Sequence, residues 1–190
     1  SVPIVAINCI IDGGARVDPP GKAGLANLTG SLLSEGTKGR TSEEISRLID
    51  SLGGSFDTGT SSDWVLASAA VLSRDFATGG DLIARSLREP TFPPDEVERR
   101  RKEILGELEA DEDEPGVVAQ RAFRKALFGD AAYGTPVDGT PESVKKLTRD
   151  DVIAYHRDEI QPGRTICAMV GDVSTTEMKA TVEKLLGDWK

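Results

Sequence analysis

The sequence predicts an α+β fold, on three observations. Runs suited to strands, apolar and β-branched at 3–12, 63–72 and 164–172 and polar with a glycine at 55–61, occur singly or side by side, without regular alternation with helices. Between them apolar residues recur at three- and four-residue spacing, the period of a helix buried along one stripe. Capping residues mark where several of those helices begin.

In chain order, residues 3–12 are dense in Ile and Val and read as a strand. Pro19, Pro20 and Gly21 break it. Over 20–36 follows a turn leading into a helix, with Leu25, Leu28, Leu32 and Leu33 on its buried stripe and Gly36 as its stop. Thr41 to Glu44 is a Thr-x-x-Glu capping box, predicting a short helix that buries Ile45, Leu48, Ile49 and Leu52 and ends at Gly53-Gly54. Residues 55–61, SFDTGTS, are polar and contain Gly59, which suits an edge strand. Residues 63–72 read as a strand buried on both faces. A helix is expected over 75–88 on Phe76, Leu82, Ile83 and Leu87, and another from Pro93-Pro94 through Val97, Ile104, Leu105 and Leu108. The acidic run 109–114 ends at Pro115, and 116–128 is helical up to Gly129. Thr140-Pro141 is a cap followed by Pro at the first helical position. Thr148 opens a further helix, with Asp151 in the capping-box place that Glu fills better. Residues 164–172 form a strand, and Ser174 with Glu177 caps a last helix reaching Trp189.

With 190 residues the chain suits one domain, 1–190, with a sizeable core. A net charge of −9 disfavours nucleic acid and anionic membrane surfaces, which need basic patches, and is compatible with a basic peptide. No apolar run is long enough to cross a membrane. The chain starts at Ser1, directly before a strand and without an initiator Met, which predicts a removed upstream segment. Cys9 and Cys167 each sit in an apolar strand-like run and read as buried thiols; a disulfide would require those two strands to pair. His156 is the single histidine and reads as a surface or packing residue. A site needing two imidazoles therefore cannot form within this chain.

The stretch 20–37, PGKAGLANLTGSLLSEGT, carries the frame K-A-G-L-A-x-x-x-x-x-L-L-x-E-G-T. It resembles the first active-site helix of the insulinase and mitochondrial-processing-peptidase family of zinc metallopeptidases. Further segments carry the likeness along the chain: GGSFDTGTSSDWVLASAAVL, ERRRKEILGELEADEDEP, GTPESVKKLTRDDVIAYH and RTICAMVGDV. The resemblance implies one half of that family's fold, a mostly antiparallel sheet covered on one face by helices. A family enzyme also has a strand before residue 3 and a second, similar half after residue 190.

The family motif, H-x-x-E-H, would place its two His ligands on Asn27 and Ser31 and its catalytic Glu on Gly30. The third ligand falls on Glu107. Three of the four positions are changed, so neither zinc nor another cofactor is expected. The resemblance also implies a peptide-binding edge, here Phe56, Asp57, Thr58, Gly59, Thr60 and Ser61, which works through backbone groups and needs no metal. The sequence thus reads as a metal-less relative serving as a partner or structural half. It would reach a peptide or protein substrate through a zinc-bearing partner subunit, in a hetero- or homo-oligomer with a family member. Two alternatives stand beside this: a structural subunit that binds no peptide, and an active zinc peptidase whose site lies elsewhere.

Overall fold

The computed structural model describes residues 2–190. Its strands are β1 (Ile4–Asp12), β2 (Gly36–Thr37), β3 (Arg40–Thr41), β4 (Ser55–Thr60), β5 (Trp64–Leu72) and β6 (Thr165–Gly171). Its helices are α1 (Leu25–Leu32), α2 (Ser42–Leu52), α3 (Phe76–Arg88), α4 (Pro94–Asp111), α5 (Pro115–Phe128), α6 (Pro141–Val144), α7 (Arg149–Glu159) and α8 (Thr175–Leu186). The main sheet has the order β4-β5-β1-β6, antiparallel throughout, and β2 pairs with β3 in a separate small hairpin.

Period-two alternation sets which face is covered. Val5, Ile7, Cys9 and Ile11 of β1 are buried, and in register beside them lie Val71, Ala69, Ala67 and Val65 of β5. Leucines of α1 and apolar residues of α3, α4 and α7 join them in one core, among them Leu28, Leu32, Phe76, Ile83, Ile104, Leu108 and Val152. Eight residues are too few for a stable isolated helix. Burial of Leu25, Leu28, Leu32 and Leu33, at about 1.5–3 kcal/mol each, is what holds α1 in place.

Several expectations need correction. Strand β5 is not buried on both faces: its second row, including Leu66, Ser68 and Ala70, is only partly covered, because no helix packs on that side. Helix α2 buries Ile45 alone, since it lies at the margin of the sheet beside β4; Leu48, Ile49 and Leu52 stay partly exposed. The helix expected over 20–36 is shorter, because the chain after Leu33 turns into β2. The β2–β3 hairpin went unforeseen, being only two residues on each side around Lys38-Gly39. The last helix stops at Leu186. Cys9 and Cys167 are not thiols: they lie directly opposite on β1 and β6, with Cα atoms 4.0 Å apart, and form a disulfide.

The caps follow the sequence closely. Thr41 and Glu44 close their box reciprocally at 3.2 and 2.9 Å. Thr148 and Asp151 do the same at 3.0 and 3.2 Å, so Asp suffices there. Ser174 accepts from the Glu177 amide.

Candidate functional site

Helix α1 carries the positions of interest, and both its ends are tied down. Before it, the Asp18 carboxylate accepts the Gly24 and Ala26 amides at 2.9 and 2.8 Å, satisfying donors a helix start leaves free. Burial pushes the Asp18 pKa up to about 7, against the pull of those amides and that of Leu25. Lys22 Nζ pairs with Asp151 Oδ1 of α7 at 2.5 Å. After the helix, Glu35 accepts the Ser42 hydroxyl at 2.6 Å and pairs with Arg99 of α4 at 3.0 Å. Gly36 has φ 137°, and its carbonyl accepts the Thr91 amide at 3.1 Å. Thr37, next to it, is buried and bridges to Pro90. The recurring letters of the frame, Lys22, Glu35, Gly36 and Thr37, are thus occupied in placing the helix.

Within that frame, Asn27 and Ser31 are half-buried, and the Ser31 hydroxyl donates back to Leu28 O at 2.9 Å. Gly30 is buried against β4. A Cβ there would lie 2.1 Å from Thr60 Oγ1, which donates to Ala26 O at 3.2 Å. The glycine lets helix and edge strand touch. Glu107 lies on α4, which packs on α1, but its side chain is 58% exposed and its Oε1 accepts from Arg100 at 3.2 Å. Among the described residues no hydrogen bond joins Asn27 or Ser31 to Glu107. Glu107 instead shares its surroundings with Asp138, whose pKa is raised by burial and then by the Asp111 and Glu107 carboxylates.

These donors do not fit a zinc ion. Asn27 offers one amide, Ser31 one hydroxyl turned onto its own helix and Glu107 one exposed carboxylate, with no imidazole among them, and Gly30 has no side chain to act as a base. Among the described residues no three His, Cys, Asp or Glu side chains converge to hold a metal.

Strand β4 is an edge of the sheet, hydrogen-bonded to β5 alone. Phe56 packs against the core, Thr58 Oγ1 lies 3.4 Å from the Ser34 hydroxyl, and Asp57 faces solvent. Gly59 and Thr60 complete the strand. Ser61 does not belong to the edge: its amide bonds Trp64 O and its hydroxyl accepts the Asp63 and Trp64 amides, closing the β4–β5 turn. A cleft of about 220 Å³ runs between α2 and this edge, lined by Glu35, Ile45, Ile49 and Phe56 among others. His156 is a packing residue: Nε2 donates to Leu87 O at 2.8 Å, its ring meets Phe92 edge-on, and burial lowers its pKa.

Residues 1–140 match the family described as Insulinase (Peptidase family M16), and residues 146–190 the one described as Peptidase M16 inactive domain. The chain belongs to the M16 insulinase family. An uncharacterized zinc protease of Mycobacterium leprae is 33% identical over 174 residues, covering 92% of this chain and 39% of that protein. One from Streptomyces coelicolor is 30% identical over 175 residues, covering 90% and 38%. The chain therefore spans under half the length of these M16 relatives. Among solved structures, a peptidase M16 inactive domain from Pseudomonas fluorescens superposes with TM-score 0.93 at 28% identity, covering 98% of this chain and 46% of that one. The periplasmic protease PqqL of Escherichia coli shares the fold, with TM-score 0.89 at 18% identity over 98% of this chain and 21% of its own.

Sequence reasoning overlooked the M16 domain's anchors, Asp18, Arg99 and Asp151, as parts of the site. Their partners lie 6 to 129 positions away, so no local pattern marks them. The one available signal was the Pro19-Pro20-Gly21 turn, which brings Asp18 back over the helix start.

Proposed function

We propose that this chain is one domain, 1–190, of a non-catalytic M16 unit that holds no zinc, keeps a peptide-binding edge and works beside a zinc-bearing relative. The observation that carries this reading is Gly30: the site helix keeps its anchors, yet its base position is in contact with Thr60 and its ligand positions hold Asn27 and Ser31. An extended peptide adds to β4 from Phe56 to Thr60 through backbone groups and places one apolar side chain in the cleft beside Ile49.

Metal analysis after dialysis, together with peptide titration, tests this. Far less than one zinc per chain is expected, and about one tightly held zinc would sink the reading. A labelled peptide with apolar and basic residues should bind, and Ile49→Glu should weaken it at least ~5-fold while the fold is kept, Ile49 being half-exposed. No binding by the unaltered chain would leave a structural unit without a peptide site. Co-purification with a zinc-bearing relative tests the pairing.

A further inference from the structure

The two sulfurs of the Cys9–Cys167 disulfide are unequally covered. Cys9 is fully buried on β1, and on its far side stands Ala67 of β5, in register and equally buried. Cys167 lies on β6, the last strand of the sheet, and is only partly covered. Among the described residues no strand stands beyond it. Its side chain borders an open cleft of about 760 Å³ between β6 and α8. Met169, Met178, Leu186 and Trp189 give that cleft its apolar lining, with Lys179 and Glu183 as its charged groups. One sulfur is enclosed by the core and the other faces an opening.

The surroundings do not depend on the bond. Strand β6 is held to β1 by its own ladder from Thr165 to Gly171. Arg88 of α3 donates to Leu185 O and pairs with Asp188 at 2.9 Å, which holds the end of α8. Neither set of contacts involves a sulfur. Exchange at this bond therefore needs local access, not unfolding of the chain.

We infer that Cys9–Cys167 is a redox-sensitive bond, opened from the cleft by a small thiol that becomes attached to Cys167. A thiolate attacks one sulfur of a disulfide, and access decides which of the two it reaches. Here the incoming thiol loses its proton and bonds Cys167 Sγ. The S–S bond breaks, its electron pair leaves with Cys9 Sγ, and that sulfur takes up a proton. The thiol is oxidised to the mixed disulfide and Cys9 is reduced, so no other oxidant or reductant is required. The reverse step, attack of Cys9 on Cys167 Sγ, expels the thiol and closes the bond again. A cleft of this size takes a small organic molecule, and glutathione suits it as a probe. The device depends on neither zinc nor a peptide on β4.

Incubating the folded, oxidised chain with millimolar reduced glutathione, quenching in acid and mapping peptides by mass spectrometry tests this. The glutathione adduct is expected on Cys167, at least ~10-fold above any on Cys9, with an unchanged circular dichroism spectrum. Its initial rate should stay nearly flat in urea below the unfolding transition. Single variants read the same contrast separately. With oxidised glutathione, the Cys9→Ala chain should be modified at Cys167 at least ~10-fold faster than the Cys167→Ala chain at Cys9, and in unfolding urea the two should react alike. Where a variant fails to fold, the map of the unaltered chain decides. An adduct on Cys9, or one shared evenly, would overturn the inference. A rate that climbs steeply from the lowest urea concentrations would do the same, because the bond would then open only in the unfolded chain. A folded chain whose bond resists glutathione altogether would overturn it too, leaving the disulfide a purely structural link.

Discussion

Gly30 and Thr60 define the most constrained contact at the site. Gly30→Ala gains about 1 kcal/mol in helix propensity but drives a methyl group into Thr60 Oγ1, an overpacking cost of about 1–3 kcal/mol. The expected outcome is a net loss of stability that Thr60→Ala in the same chain largely reverses, read from urea unfolding of the four proteins of the cycle. Placing a glutamate at 30, with histidines at 27 and 31, therefore needs Thr60 shortened as well. Asp18 yields a pH signature. Its folded pKa, about 7, lies above its unfolded value near 3.8, so the folded state binds the extra proton. The stabilisation is complete below pH ~4 and is lost as pH rises through ~7, by at most about 4 kcal/mol. The Tm difference between the wild type and Asp18→Asn should change across that window in the direction of wild-type loss; parallel Tm curves would refute the shift. Asp18, Pro19 and Pro20 were plain in the sequence, but not that this carboxylate folds back over α1, because the path of a turn depends on what it packs against.

At the scale of elements, α1 is short and depends on its neighbours. Glu35 bonds Ser42 at the start of α2 and Arg99 on α4, so it links three helices. Glu35→Ala is expected to cost about 1–2 kcal/mol through those lost bonds, measured by thermal unfolding, whereas substituting the solvent-facing Asp57 should cost almost nothing. Helix starts were legible because a cap is local: Thr41, Thr140, Thr148 and Ser174 all accept from an amide three residues on. Helix faces were legible only in part. Helix α2 carries the right period, yet Leu48, Ile49 and Leu52 lack a covering layer, and period alone does not reveal whether one exists. The same holds for α5, whose helical span was evident but not that Phe123 and Leu127 face solvent.

For the whole molecule, the Cys9–Cys167 bond joins β1 to the last strand across 158 positions. Closing so long a loop restricts the unfolded chain, and its loss is expected to cost about 2–5 kcal/mol. Reductant should therefore lower Tm by several degrees, and Cys9→Ala with Cys167→Ala should abolish that response; a Tm indifferent to reductant would contradict the bond.

The sequence by itself determined the α+β class, the four main strands, the edge position of β4, most helix starts and the family, because hydrophobic period, caps and a recurring frame are short-range and additive. It also determined that one histidine cannot supply two ligands. Only the tertiary structure decided that Gly30 is a contact with Thr60, that the cysteines face each other, that Ser61 leaves the edge, and that α5 turns its apolar side outward. Each of these depends on which surfaces meet across tens of residues, and a one-dimensional pattern carries no information about what lies on the far side of a face.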